Sequence, residues 1–149
     1  MKIAFLMYSF IPHFGGAQIF SYNLMKNLSR RGHEVHLYIP YIRYIQLKRL
    51  KLSLNFKVYP IFRKEYFLAK YFPSVIRKKL TMIQKIEKYD LWQVIGSYPA
   101  GWVGLGLIKS VPIIVRCHGS DIQKDINLNY GQGLIYLILR NNSWSVYAS

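Results

Sequence analysis

Two glycines near the start of the chain limit its possible folds more than any other feature. They separate a short apolar run, residues 2–8 (KIAFLMY), from a segment with helical periodicity. The run is nearly free of charge and rich in large side chains, which suits a strand covered on both faces in a parallel sheet. After Gly15 and Gly16, residues Ala17, Phe20, Leu24 and Leu28 recur at three- and four-residue intervals, with Asn23, Lys26, Asn27 and Arg30 largely opposite. That spacing predicts an amphipathic helix. Arg30 and Arg31 suit its negative end, and Gly32 can adopt the left-handed conformation that ends a helix. Val35 to Ile39 reads as the next strand. The opening is therefore strand, glycine turn, helix, strand. A helix approached by glycines leaves its first backbone N–H groups open to an anion, although two glycines also suffice for a plain tight turn. The pair does not make the G-x-G-x-x-G fingerprint, which disfavours a nicotinamide or flavin dinucleotide.

The rest of the chain continues the alternation. Residues 55–62 read as a third strand, at a sheet edge and ended near Pro60. Ser74 can cap a helix through about Lys88, with Ile76, Leu80, Ile83 and Glu87 along one line and Val75, Met82 and Ile86 beside it. Asp90 to Ile95 is the next strand. Gly101, Gly104 and Gly106 lie in a segment of helical length, where repeated glycine implies close packing on a sheet. Pro112 to Arg116 forms a further buried strand and leads into residues 117–121 (CHGSD), at the edge of a parallel sheet where ligands gather. A helix is expected over 127–140 and a last strand over 144–148. The fold class expected is α/β: a Rossmann-like open, mostly parallel sheet with helices on both faces. At 149 residues it makes one domain. Ending on a fresh strand, the domain reads as cut short.

Composition narrows the function. Hydrophobic residues make up 52% of the chain, so disorder is disfavoured, and no apolar stretch approaches the roughly 18 residues of a membrane span. The first apolar run is too short for a secretory leader, and a cytoplasmic protein is expected. A single cysteine, Cys117, excludes an internal disulfide and a cysteine-built zinc cage. Most of the net charge of +15 is regional: Tyr41 to Lys88 holds thirteen Lys or Arg against Glu65 and Glu87. Arg43, Lys48, Arg49, Lys51, Arg63, Lys64, Arg77, Lys78 and Lys79 belong to this block, interleaved with tyrosines, phenylalanines and leucines. The mixture suits an anionic membrane surface, with the protein peripheral at its inner face. It equally describes a solvated face whose aromatics are ordinary core. A basic nucleic-acid-binding module is the alternative function, but no RNA-binding signature or zinc-finger spacing accompanies it.

Several stretches together resemble the N-terminal domain of the GT-B fold glycosyltransferases of family four: residues 12–18 (PHFGGAQ), 28–35 (LSRRGHEV), 90–95 (DLWQVI) with 98–101 (YPAG), 112–121 (PIIVRCHGSD) and the final 144–149 (WSVYAS). They span nearly the whole chain apart from the basic block. The resemblance implies a two-domain enzyme that moves a sugar from a nucleotide-sugar to a glycan or lipid-linked acceptor, with retention and with neither a bound metal nor any other cofactor. It would serve polysaccharide or cell-envelope synthesis. Residues 1–149 would be the acceptor-side domain, inactive alone because the C-terminal donor-binding domain is missing. Gly15 and Gly16 would admit the donor's diphosphate or the acceptor, and His118 would lie in the cleft near the transferred sugar and stabilise its developing charge. Asp121 would accept hydrogen bonds from sugar or acceptor hydroxyls, or else cap a loop. Read from the residues alone, Arg116 could contact an anionic acceptor but is more simply a strand-end arginine facing water, and His13 could contact a ligand but is more simply a solvated loop histidine.

Overall fold

A computed structural model describes residues 1–13, 15–61, 73–96, 111–117 and 144–148. The strands are β1 (Lys2–Met7), β2 (Glu34–Ile39), β3 (Lys57–Pro60), β4 (Leu91–Ile95), β5 (Ile113–Cys117) and β6 (Trp144–Ala148). The helices among the described residues are α1 (Gly16–Arg30), α2 (Tyr41–Arg49) and α3 (Pro73–Glu87). The six strands form one sheet in the order β3-β2-β1-β4-β5-β6, and every neighbouring pair is parallel. This is the doubly wound, Rossmann-like order. It reverses direction between β1 and β4, and in open α/β sheets the crevice beyond the carboxyl ends of those two strands receives ligands.

Parallel register assigns the two faces. Ile3, Phe5 and Met7 of β1 share a face with Val35, Leu37 and Ile39 of β2 and with Gln93 and Ile95 of β4. Met25 of α1 and Leu47 of α2 complete the core of this face, together with Phe10 and Phe56. The most buried line of α1 is Ser21 and Met25, one position round from the expected Ala17-Phe20-Leu24-Leu28 line. Leu24 and Leu28 pack at its flank. The small Ser21 lets the helix approach the sheet closely, which a line of leucines would prevent. Gly32 ends the turn after α1 at φ +84°, and His33 N–H donates to the Leu28 carbonyl at 3.1 Å, so the expected left-handed stop is present.

The opposite face is aromatic and polar. His36 and Tyr38 of β2, Trp92 and Val94 of β4 and Tyr89 meet Ile76, Leu80 and Gln84 of α3 on this side. The inner line of α3 therefore advances by fours, through Ile76, Leu80 and Gln84. Val75, Met82 and Ile86, expected beside that line, are instead exposed on the outer side of the helix. Gln84 holds its place by receiving the Trp92 indole N–H at 2.7 Å and donating to the Tyr89 carbonyl at 3.0 Å. β3 is an edge strand ending at Pro60, which lacks the N–H an inner strand would need.

Candidate functional site

The β1–α1 connection leaves the carboxyl end of β1 beside that of β4, with Met7 and Ile95 in register. It makes a turn in which His13 N–H donates to the Phe10 carbonyl at 3.2 Å. Gly15 then serves as N-cap of α1, in extended conformation, and its carbonyl accepts from Ile19 N–H at 3.0 Å. Among the described residues no side chain caps this helix end, and no acidic residue lies in its first turn. No described residue neutralises the partial positive charge of the terminus, so the first N–H groups can bind an anion.

Neither glycine is required by backbone strain, because neither has a positive φ. A Cβ at Gly15 would meet only the flexible end of Gln18, at 2.6 Å, and a Cβ at Gly16 would meet nothing within 4 Å. The packing of the described residues leaves room for a side chain at position 16. What a side chain there would obstruct is access from outside. Across the switch point Gly96 follows β4 at φ +98°, where its N–H donates to the Arg116 carbonyl at 2.8 Å. This bend, which an L side chain would strain, turns the chain away at the end of β4.

Arg116 departs from expectation. Its register with Ile95 puts it on the α1 face, and its guanidinium carbon lies 3.5 Å from the centroid of the Phe20 ring. It is half-buried rather than facing water. Stacking on Phe20 satisfies the flat side of the guanidinium while leaving its N–H edges for an anion. The Nε is buried and makes no hydrogen bond among the described residues. Phe20 lies one helical turn beyond Gly16, about 6 Å along the helix axis, so the cation stacked on its ring is held in the first turns of α1. The signal was present in the sequence as strand parity: Arg116 shares a face with Ile114 in a sheet covered on both sides.

A second cation also leaves the role expected of it. Arg43 of α2 is turned inward, donating to His13 Nε2 and to Gln46 Oε1 at 2.9 Å, so it braces the β1–α1 loop. His13 accepts through Nε2, which requires its proton on Nδ1. The other members of the basic block separate onto two faces of the sheet. Lys48, Arg49 and Lys51 are exposed at the end of α2, and Lys78 and Lys79 are exposed on α3. Lys79 also donates to the Ile61 carbonyl. Arg77 is half-buried, and that burial depresses its pKa. His118, Asp121, Arg63 and Lys64 lie outside the described residues, as do Gly101, Gly104, Gly106 and the helix expected over 127–140. β5 ends at Cys117, on the same carboxyl edge as the glycine turn. Among the described residues no three His, Cys, Asp or Glu side chains group as metal ligands, and no helix is long and apolar enough to cross a membrane.

Comparison with known proteins agrees with this architecture. Among solved structures the chain is similar to sucrose-phosphate synthase from Thermosynechococcus elongatus, with TM-score 0.58 and 14% identity over 88% of this chain and 36% of that one. MurG of Acinetobacter baumannii gives TM-score 0.50 and 18% identity over 77% of this chain and 34% of that one. A putative UDP-N-acetylglucosamine 2-epimerase of Listeria monocytogenes gives TM-score 0.57 and 11% identity over 91% of this chain and 36% of that one. At such identities these likenesses establish the fold, and the chain spans about a third of the length of each. Curated proteins give no match by sequence. The family model of Glycosyltransferase Family 4 matches residues 14–146, from the residue before the glycine pair to the last strand. The strand order, the open α1 terminus and this match over most of the chain lead to one conclusion: the chain belongs to Glycosyltransferase Family 4.

Proposed function

We propose that this chain is the acceptor-side half of a glycosyltransferase that moves a sugar, with retention, from a nucleotide-sugar to a glycan or lipid-linked acceptor. The observation that carries the reading is the uncapped N-terminus of α1 at the β1/β4 switch point, opened by Gly16 and flanked by Arg116. Transfer breaks the bond between the anomeric carbon and the donor's phosphate oxygen and forms a bond from that carbon to an acceptor oxygen. Negative charge grows on the leaving phosphate as the first bond breaks. A helix terminus and a stacked guanidinium already aimed at that position stabilise it without rearranging. The acceptor proton passes to the leaving phosphate on the same face of the sugar. His118, following β5 in sequence, orients sugar hydroxyls and offsets charge on the ring, and Asp121 accepts from sugar or acceptor hydroxyls. The nucleotide is held largely by a C-terminal domain, so residues 1–149 alone do not turn over. The reading needs no metal or cofactor beside the nucleotide-sugar. The exposed cations and apolar side chains of α2 or of α3, which lie on opposite faces of the sheet, suit a protein working with one of those faces at the inner, anionic side of a membrane, in cell-envelope or polysaccharide synthesis.

The test is a glycosyl-transfer assay on the full-length protein that carries this chain, with mixed nucleotide-sugars and crude membrane acceptors. Wild type is expected to transfer, His118→Ala to lose orders of magnitude, and Arg116→Gln to lose about 10²-fold while remaining folded. A folded full-length protein that neither transfers nor hydrolyses any donor overturns the reading.

A further inference from the structure

Beside the glycine turn, a second guanidinium is held in a fixed orientation at the carboxyl edge of the sheet. Arg43 stands in the first turn of α2 and directs Nη1 both to His13 Nε2, in the β1–α1 connection, and to Gln46 Oε1 at 2.9 Å. Those two acceptors use both hydrogens of Nη1. The remaining N–H groups belong to Nε and Nη2, whose shared edge is the fork that grips two oxygens of a phosphate or carboxylate. Among the described residues this fork meets no acceptor and no carboxylate. Arg43 is half-buried, so its guanidinium is partly desolvated as well as oriented.

The distribution of charge is an independent observation. The described carboxylates, Glu34, Glu87 and Asp90, all stand at the amino edge of the sheet. Glu34 opens β2, Glu87 ends α3 and pairs with Lys2, and Asp90 precedes β4 and accepts from the Lys2 N–H at 2.7 Å. None of them faces Arg43 or Arg116 at the carboxyl edge. Helix α2 also lacks an acidic residue in its first turn and carries Arg43 there instead. A cation in that place works against the helix dipole, whereas towards a bound anion the dipole and the guanidinium act together.

Resting on the transfer reading, we propose that the sugar acceptor carries an oxyanion, a phosphate ester or a carboxylate, and that Arg43 selects the acceptor by binding that group through Nε and Nη2. Topology separates this role from the donor's. In the sheet β2 and β5 lie on opposite sides of β1. Arg116 reaches Phe20 of α1 from β5, and Arg43 reaches His13 from the helix that follows β2. The two cations therefore approach the start of α1 from opposite sides. Arg116 and the open terminus serve the leaving phosphate, which leaves Arg43 for a second anion. A neutral acceptor would close the site over a guanidinium edge without a partner, at the cost of its desolvation.

The experiment is a calorimetric titration of inorganic phosphate, and separately of acetate, into the full-length protein, both free and saturated with uridine or guanosine diphosphate. Wild type is expected to bind an anion in both states, and preference for phosphate or for acetate tells a phosphorylated acceptor from a carboxylated one. Arg43→Gln should weaken that binding about tenfold, the loss of one charge-assisted pair, and leave nucleoside diphosphate affinity unchanged. His13→Ala removes the brace and keeps the cation, so it should weaken anion binding less than Arg43→Gln does. Lys78→Gln, an exposed cation on the other face, should change it less than about twofold. In transfer assays with membrane acceptors divided by anion exchange, the acceptor should lie in the retained fraction, and Arg43→Gln should raise its KM about tenfold with kcat little changed. Anion binding abolished by bound nucleotide, equal losses from His13→Ala and Arg43→Gln, or an acceptor in the unretained fraction overturns the proposal. So does an anion titration that Arg43→Gln leaves unaltered. The titration of the free protein needs neither donor nor nucleotide, so a failure to transfer sugar counts against the transfer reading and a failure to bind an anion at Arg43 against this one.

Discussion

The two faces of the sheet are built from different chemistry. Under α1 and α2 the core is aliphatic and phenylalanine-rich, from Ile3, Phe5 and Met7 to Met25 and Phe56. Under α3 it is a hydrogen-bonded aromatic cluster. Tyr38 stacks between Tyr59 and Trp92, at 5.4 Å from each, and its hydroxyl meets that of Tyr89 at 2.7 Å. Tyr89 in turn reaches His36 Nδ1 at 2.5 Å, and His36 Nε2 lies 2.9 Å from Glu34. A neutral imidazole accepts at Nδ1 from the tyrosine, while Nε2, though close to the carboxylate, is not aligned to hydrogen-bond to it. Burial pushes the Tyr38 hydroxyl up to about 12 and Tyr89 higher still, so both remain donors. Directional bonds of this kind fix where strands and helix sit, whereas aliphatic packing tolerates adjustment. The difference suggests a division of labour. The α3 face holds the sheet in register, and the α1 face carries the open helix terminus at its carboxyl edge.

That division can be broken by mutation, and the largest effect belongs to the aromatic face. Trp92 is fully buried, stacked and bonded to Gln84; Trp92→Ala should cost about 3–5 kcal/mol in urea unfolding. Tyr89→Phe removes one oxygen but strands both His36 Nδ1 and the Tyr38 hydroxyl in the interior. About 2 kcal/mol is expected, more than an isolated hydrogen bond contributes. Gly96→Ala forces a side chain into a left-handed bend and should cost about 1–2 kcal/mol, seen as a shift in melting temperature. Acid sharpens the contrast. Burial lowers the His36 pKa from 6.5, so as pH falls below about 6.5 the unfolded chain binds a proton that the folded chain resists, and stability declines. His36→Gln should flatten that slope between pH 7 and 5. A second decline belongs at lower pH. The Lys2 ammonium, 2.6 Å from Glu87, holds that carboxyl below its ordinary 4.5; this support is present above about 4.5 and is lost as pH falls through the lowered value.

Much of this was legible in the sequence because short uncharged strands and a 3.6-residue period leave few arrangements. Strand positions, the edge location of β3 with its Pro60, and the glycine stop after α1 all followed from local rules. What escaped had tertiary causes. Val75, Met82 and Ile86 look like core by composition, yet α3 turns them outward because Gln84 is the residue held by Trp92. The run from Tyr41 to Lys88 looks like one basic surface, yet the strand crossing at β3 sends α2 and α3 to opposite faces. Arg43 and Arg116 look solvated, yet one turns to His13 and the other lies on Phe20. Their partners are 30 and 96 positions away in the chain, beyond the reach of any local pattern. His118 and Asp121, expected at the site from family resemblance, follow β5 outside the described residues.

The central claim is that the room left at Gly16 is for a donor phosphate, and a size series tests it. In the full-length protein, Gly16→Ala and Gly16→Leu place side chains where the described residues offer no obstacle. Unfolding midpoints should stay within about 0.5 kcal/mol of wild type. Glycosyl transfer, with donor affinity measured by calorimetry, should fall stepwise with side-chain size. A Gly16→Leu protein that binds donor and transfers sugar like wild type would contradict the account.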